Sequence, residues 1–563
     1  MTVGQRSGRQ AAADPFRYGP DWWQRGVFYQ IYPRSFADTD GDGTGDLRGI
    51  VDHLDYLGRD GLDVDAVWLS PIYPSPGIDV GYDVSDHTAV DPLFGSEADF
   101  DRLVREAHRR GIRIVMDLVM NHTSDQHPWF IASRASREGP YADWYLWRDP
   151  AGTDRRGRPL PPNDWVSWFG GPGWTYEPGR GQFYHHTFLA EQPELDWRNP
   201  AVVAAQFAMV RGWLARGVDG FRLDTFNVFL KHPDALANPR RRGRDAWTRQ
   251  LHQYDFDQPD LPELIERFRA VVDATPGHMT VGELFVGTTE GAAALTAGHH
   301  LVFDWELLDQ PWSAPAFAAA IRRRERAFGP DRWPTIVLSN HDQPRHVSKL
   351  ADSVGATGPQ RDAIARAAAV LELTMRGTPF LYYGEELGMG VVEVPPDESI
   401  DEAARHVGPG FSWWDRSASR TPMPWRPGPG GGFTTGRPWL RLGPDVDQRN
   451  VAVQRADPDS VLACYQRLIA ARNGLASLQD GSLTMVRTGD PDVLGYRRRG
   501  SGSDVLVLIG FADHDHHPRI PRPHGGSGGW RPVVGSHRDL PDRLTPGSPT
   551  TLRPHEAIVA VAI

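Results

Sequence analysis

The chain has 563 residues, 40% hydrophobic and 24% charged, which allows a large buried core and more than one domain. Its net charge of −11, from 61 basic and 72 acidic residues, has no basic stripe and argues against a nucleic-acid partner. Cys464 is the only cysteine, so no internal disulfide can form; no run approaches the ~20 apolar residues of a membrane span. Residues 1–20 are polar without a signal-peptide core, and the expected location is cytoplasmic, away from membranes.

From about residue 26 to 390, strand-like runs alternate with helical periodicity. The predicted strands are 27–32, 66–70, 112–119, 218–223, 279–282, 301–303, 335–339 and 380–383. Helices fill the intervals; over residues 97–110, Phe100, Leu103, Val104 and Ala107 share one face. Eight such units predict an α/β fold, a (β/α)8 TIM barrel with its active site at the C-terminal ends of the strands.

The alternation breaks once, between about residues 121 and 191, in a stretch rich in Pro, Gly, Trp and Asp such as Pro161-Pro162-Asn163-Asp164-Trp165. It is too long for a plain loop and reads as an irregular domain inserted after the third strand, walling one side of the site. After about residue 480, short strands including 504–509 and 557–563 predict a C-terminal antiparallel β domain. The expected division is barrel over 1–120 and 191–480, insertion over 121–190, and β domain over 481–563.

Two acidic patterns carry chemistry. Asp38-Thr39-Asp40-Gly41-Asp42-Gly43-Thr44-Gly45-Asp46 offers four carboxylates in a glycine-punctuated turn. Hard oxygen ligands at this spacing suit Ca²⁺, with the Thr44 carbonyl contributing; a metal-free Asp/Gly turn is the alternative, and Gly49 replaces the final Glu of an EF-hand. The second pattern is three acids at strand ends. Asp224 closes Gly220-Phe221-Arg222-Leu223, Glu283 follows Thr280-Val281-Gly282, and Asp342 follows Ser339-Asn340-His341. Parallel strands would bring them to one rim, and glycoside hydrolysis is the chemistry that most often needs carboxyl groups around one bond. Some of the 20 tryptophans would suit the flat faces of sugar rings.

Five motifs occur in order: Gly81-Tyr82-Asp83-Val84-Ser85-Asp86-His87, Asp117-Leu118-Val119-Met120-Asn121-His122, the Gly220 to Asp224 run, Gly282-Glu283, and Asn340-His341-Asp342-Gln343. Together they resemble the α-amylase family, glycoside hydrolase family 13, and within it the exo-acting α-glucosidases and oligo-1,6-glucosidases, over roughly residues 20 to 480. The resemblance implies that Asp224 is the nucleophile, Glu283 the general acid/base and Asp342 the carboxylate that holds substrate hydroxyls. Arg222 is expected to keep Asp224 ionised, while burial and nearby carboxylates keep Glu283 protonated. A retaining reaction would set the two carboxyls about 5–5.5 Å apart.

Tyr82 and Arg222 are expected at the substrate. His122 and His341 are read as donors to glucose hydroxyls, with satisfied core histidines as the alternative. The resemblance also implies that Asp83 and Arg420, in Arg420-Thr421-Pro422-Met423, pair behind the non-reducing glucose, although Pro424 stands where many relatives carry Gln. Thr225, where relatives that cut α-1,6 bonds generally carry Val, leans toward α-1,4 or mixed linkages. The Asp38 to Asp46 loop would hold structural Ca²⁺ or Mg²⁺ at Asp38, Asp40, Asp42, Thr44 and Asp46, and no organic cofactor is expected.

The implied activity is that of a retaining exo-α-glucosidase acting on a small oligosaccharide or α-glucoside. Transglucosidase and oligo-1,6-glucosidase activities are the alternatives. The loop after the eighth strand, 386–425, with Trp413, Trp414 and Trp425, bears on the acceptor. A non-catalytic transporter-subunit relative is disfavoured by the intact acids, and the oligomeric state stays open.

Overall fold

The computed structural model describes residues 15–401, 415–524 and 528–563; Trp413 and Trp414 lie outside them. The barrel opens with β1 (Phe28–Ile31), β2 (Ala66–Leu69) and β3 (Arg113–Leu118). The insertion supplies β4 (Trp147–Arg148), β5 (Gly152–Thr153), β6 (Pro159–Leu160), β7 (Trp174–Glu177) and β8 (Gln182–His185). The barrel resumes with β9 (Gly220–Leu223), β10 (Met279–Gly282), β11 (Leu301–Val302), β12 (Thr335–Ile336) and β13 (Thr378–Tyr382). All eight predicted barrel strands are present and parallel, in the order β11-β10-β9-β3-β2-β1-β13-β12.

Every barrel strand is buried along its whole length, as parallel strands covered on both faces must be. The period-two geometry of a strand then divides the core in two. Phe28, Trp68, Val115, Val281, Phe303 and Phe380 cluster inside the barrel, while Tyr29, Val67, Ile114, Met116 and Phe221 join the larger core under the helices. The helix Glu97–Arg109 buries the predicted Phe100, Leu103, Val104 and Ala107 and starts at a Ser96/Asp99 capping box.

The sheet is nearly closed. Between β11 and β12 a side chain replaces the ladder: the Thr335 hydroxyl accepts from the Asp304 amide at 3.1 Å and donates to the Val302 carbonyl at 3.3 Å. The predicted strand 335–339 pairs only over Thr335–Ile336.

Within the insertion, β4, β8 and β7 form a small antiparallel sheet. It is anchored by Glu194, a fully buried carboxylate 2.8 Å from Lys231 Nζ and 3.2 Å from His185 Nδ1. In the expected C-terminal β domain, β14 (Ser482–Val486), β15 (Val493–Arg499), β16 (Asp504–Gly510), β17 (Trp530–Gly535) and β18 (Ala557–Ala562) build a five-stranded antiparallel sheet. It docks on the barrel through buried Arg498, whose guanidinium donates to the Thr374 and Met375 carbonyls at 2.6 Å. No helix among the described residues is long and apolar enough to cross a membrane.

Candidate active site

Strand register builds the site. In the β9–β10 ladder Val281 pairs with Arg222 and Gly282 with Leu223, so Glu283 and Asp224 leave adjacent strands at equivalent positions. On the other side of β9, Asp117 pairs with Arg222. Arg222 therefore sits between three acids: its Nη1 is 2.7 Å from Asp117 and 2.8 Å from Asp224, and its Nη2 is 2.6 Å from Glu283. Trp68 and Tyr82 lie beside the guanidinium, with ring centroids at 5.3 and 5.9 Å. Gly282 is required here, because a Cβ would come within 2.6 Å of the Phe226 ring.

Thr225 follows Asp224 in the left-handed region at φ 41°, an uncommon and strained conformation for a β-branched residue. That turn aims its amide at Glu283 Oε2 (3.1 Å) and its hydroxyl at Asp224 Oδ2 (3.2 Å). Asp342 arrives from the loop after β12. Its Oδ1 accepts from Arg420 Nη2 at 2.7 Å, and its Oδ2 lies 3.1 Å from His341 Nε2. Asp224, Glu283 and Asp342 line one cavity of about 330 Å³, with Asp79, Tyr82, His122 and Arg416.

Electrostatics separates the acids. Burial pushes Glu283 up to about 7; Arg222 opposes this, while Asp224 and Asp342 add to it. Asp224 is also pushed up to about 7, because burial and the charges of Asp117 and Asp342 outweigh the Arg222 contact that was expected to keep it ionised. Both carboxyls thus stand above the ordinary carboxylate range, through burial first and neighbouring acids second. Asp342 behaves oppositely: burial raises it, but His341, Arg420 and Arg416 together hold it well below the usual carboxylate range.

Several expectations change. Asp83 does not pair with Arg420. Its carboxylate turns back into its own loop, accepting from the Ser75 hydroxyl at 2.7 Å and the Ile78 and Asp79 amides at 2.9 and 3.0 Å. Arg420 pairs with Asp342 instead. The ion pair that lines the cavity is Asp79–Arg416 at 2.6 Å, backed by Asp401, which accepts from Arg416 Nε and Nη2 at 2.7 Å each. Both members lie four residues upstream of the expected ones, a distinction that spacing alone does not reveal.

His341 also differs. It is fully buried behind the cavity, with Nδ1 2.8 Å from Gln30 and Nε2 shared between Asp342 and the Tyr82 hydroxyl, so it positions Asp342 rather than facing a ligand. His122 does line the cavity, with Nε2 3.0 Å from the Tyr82 carbonyl. The site also includes Asp117, through its contact with Arg222, and an aromatic wall of Trp168, Phe169, Phe188 and Phe285; in the sequence these are signalled only by the motif that begins at Asp117 and by the abundance of tryptophan.

In the acidic loop, Asp38, Asp40 and Asp42 offer oxygens within 4.8 Å of one another, an arrangement that fits a divalent cation. Asp46 does not join them. It caps the helix Leu47–Asp52, accepting from the Gly49 amide at 2.7 Å and from the Thr39 amide and hydroxyl at 2.7 and 2.8 Å. Thr44 donates its amide to Asp42 at 2.7 Å. Gly43, at φ 95°, packs directly on the Arg437 carbonyl and leaves no room for a side chain.

The model of the alpha-amylase catalytic domain matches residues 30–481, and the chain belongs to this family of glycoside hydrolases. It is 42% identical over 520 residues to a probable alpha-glucosidase of Rhizobium meliloti (strain 1021), covering 89% of this chain and 91% of that protein. It is 39% identical to trehalose-6-phosphate hydrolase of Escherichia coli (strain K12), covering 88% and 91% respectively. The crystal structure of an alpha-glucosyl transfer enzyme superposes with a TM-score of 0.87 at 39% identity, over 97% of this chain and all of the other.

Proposed function

We propose that the chain is a retaining exo-α-glucosidase that removes one glucose from the non-reducing end of short α-glucosides and favours α-1,4 linkages. The observation that carries this reading is the joint contact of Arg222 with Asp224 and Glu283, in a cavity lined by the Asp79–Arg416 pair. Glu283 gives its proton to the glycosidic oxygen as Asp224 attacks C1, forming a glucosyl-enzyme. Glu283 then takes a proton from water, which displaces Asp224. Asp342, ionised throughout, accepts hydrogen bonds from the glucose hydroxyls as the ring distorts. Asp79 and Arg416 close the cavity behind that ring and present fixed charges to its outer hydroxyls.

The same intermediate can be captured by an alcohol in place of water, and the likeness to a glucosyl transfer enzyme favours transglucosylation as a second activity. The reading also includes a structural Ca²⁺ or Mg²⁺ held by Asp38, Asp40 and Asp42, remote from the chemistry, which would pin the loop that follows β1.

A time course on maltose, maltotriose, isomaltose and trehalose, with the product anomer followed by NMR, tests the proposal. Release of α-glucose from maltose is expected; β-glucose, or no glucose from any of the four, would overturn it.

A further inference from the structure

A second cavity lies between the loop after β2, the start of the insertion and the helix Pro200–Ala215. At about 510 Å³ it is larger than the catalytic cavity and shares no lining residue with it. Trp129, Met209 and Trp213 give it apolar walls, while Asp86, His87 and His127 are the polar groups that matter for a ligand.

The two imidazoles are 3% and 5% exposed, with ring centroids 5.6 Å apart, and the backbone fixes their tautomers. His87 Nε2 donates to the Val119 carbonyl at 2.7 Å, so its Nδ1 is an acceptor, and that buried atom has no partner among the described residues. His127 Nδ1 accepts from the Trp129 amide at 3.1 Å as it caps the helix Pro128–Ala135. Its hydrogen therefore sits on Nε2, where no described residue accepts it. Burial keeps both rings neutral, His87 lowered to about 4 and His127 to about 3. Asp86 stands near enough for its charge to act on both. Its Oδ1 holds the Thr88 amide and hydroxyl at 2.8 and 2.7 Å, which leaves Oδ2 open.

This set of groups narrows the ligand. A metal ion needs lone pairs, and the open nitrogen of His127 carries a hydrogen instead. An anion would face Asp86, and Arg216 at the rim is already paired with Glu97 and Asp101. An apolar guest would leave the histidines and Asp86 without partners. A hydroxyl group both donates and accepts, as the two rings require. Trp129, half-buried and held edge to face by Trp144 at 4.7 Å, offers aromatic surface to the C–H face of a sugar.

We propose that this cavity is a second, non-catalytic site for a glucose ring, free or at the end of a short α-glucoside. One hydroxyl bridges His127 and His87, a neighbouring hydroxyl donates to Asp86, and the ring lies against Trp129. The site stands apart from the activity proposed above, because the two cavities are lined by different residues.

Equilibrium dialysis of Asp224→Asn with radiolabelled maltose counts sites without turnover, and two maltose molecules per chain are expected. A Cβ at Gly212, which lines the cavity, would meet no atom within 4 Å, so Gly212→Leu fills the space without a clash. Added to Asp224→Asn it should reduce the count to one; alone it should leave kcat on an aryl α-glucoside unchanged. Asp86→Asn keeps an acceptor for Thr88 but loses the open one, and should weaken the second site about tenfold. One site or none in Asp224→Asn, a second site that persists in Gly212→Leu, or displacement of the second maltose by sorbitol as readily as by glucose would overturn the inference. Absence of glucosidase activity in the wild type would overturn only the activity.

Discussion

The two sides of the cavity bind by opposite means. Around Arg222, Asp342 and Arg416, buried charges neutralise one another through short contacts, and each side chain is held from several directions. Beside Glu283, Phe285, Val286, Trp305 and Leu308 offer surface without direction. The difference shows how one scaffold can be strict toward one partner and permissive toward another. Fixed charges recognise hydroxyls at set positions, whereas apolar contact discriminates only by ~1–3 kcal/mol per methylene-sized difference.

The sharpest way to break this comparison is Asp224→Asn, which should lower kcat on an aryl α-glucoside by on the order of 10⁴. The same variant reports on burial. A folded value near 7, raised from 3.8, means the native state holds this proton more tightly than the unfolded chain. That stability is fully present below about pH 4 and is lost as pH rises through 7. Asp224→Asn lacks the loss, so it should melt above the wild type at pH 8, with the gap closing toward pH 4. Because the reaction needs Asp224 ionised and Glu283 protonated, and both are raised to about 7, kcat/KM of the wild type should fall on both sides of neutrality; a flat profile from pH 5 to 9 would contradict this.

Next in size, Asp79→Asn and Asp83→Asn should part company. Removing a charged hydrogen bond from the donor side should cost about 1.5–3 kcal/mol of transition-state binding, a ten- to hundredfold fall in kcat/KM on maltose. Asp83→Asn should leave KM near the wild-type value and instead lower the melting temperature, since its carboxylate holds two backbone amides. Equal effects of the two on KM would contradict the Asp79–Arg416 assignment.

Thr225→Val removes the hydroxyl beside Asp224 and should shift the isomaltose-to-maltose rate ratio upward by about tenfold. The smallest effect is expected at the acidic loop. Chelator should lower the melting temperature by a few degrees while initial activity changes little, and an unchanged melting curve would count against a bound cation.

Much of this arrangement was readable before any coordinates. Eight apolar runs at the right spacing define a parallel sheet, because strands buried on both faces must be continuously apolar. The motif-bearing acids fall at strand ends, where the ladder itself aligns Asp224 with Glu283. The choice between Asp79 and Asp83, or between Arg416 and Arg420, was not readable. Both candidates in each pair lie in one irregular loop, and their direction depends on contacts of Asp79 with Gln192 and Arg416, distant in sequence. The withdrawal of Asp46 into a helix cap is a similar case, since a capping aspartate and a metal-ligating one look alike in a string of residues.

The amino-acid order alone determined the barrel, its insertion, its C-terminal sheet and the three rim acids, because periodicity and strand ends are local properties of the chain. Tertiary structure alone decided which charges meet across the cavity, how burial outweighs Arg222 at Asp224, and that the leaving-group side is apolar. Those outcomes depend on desolvation and on neighbours hundreds of residues away, which no local pattern records.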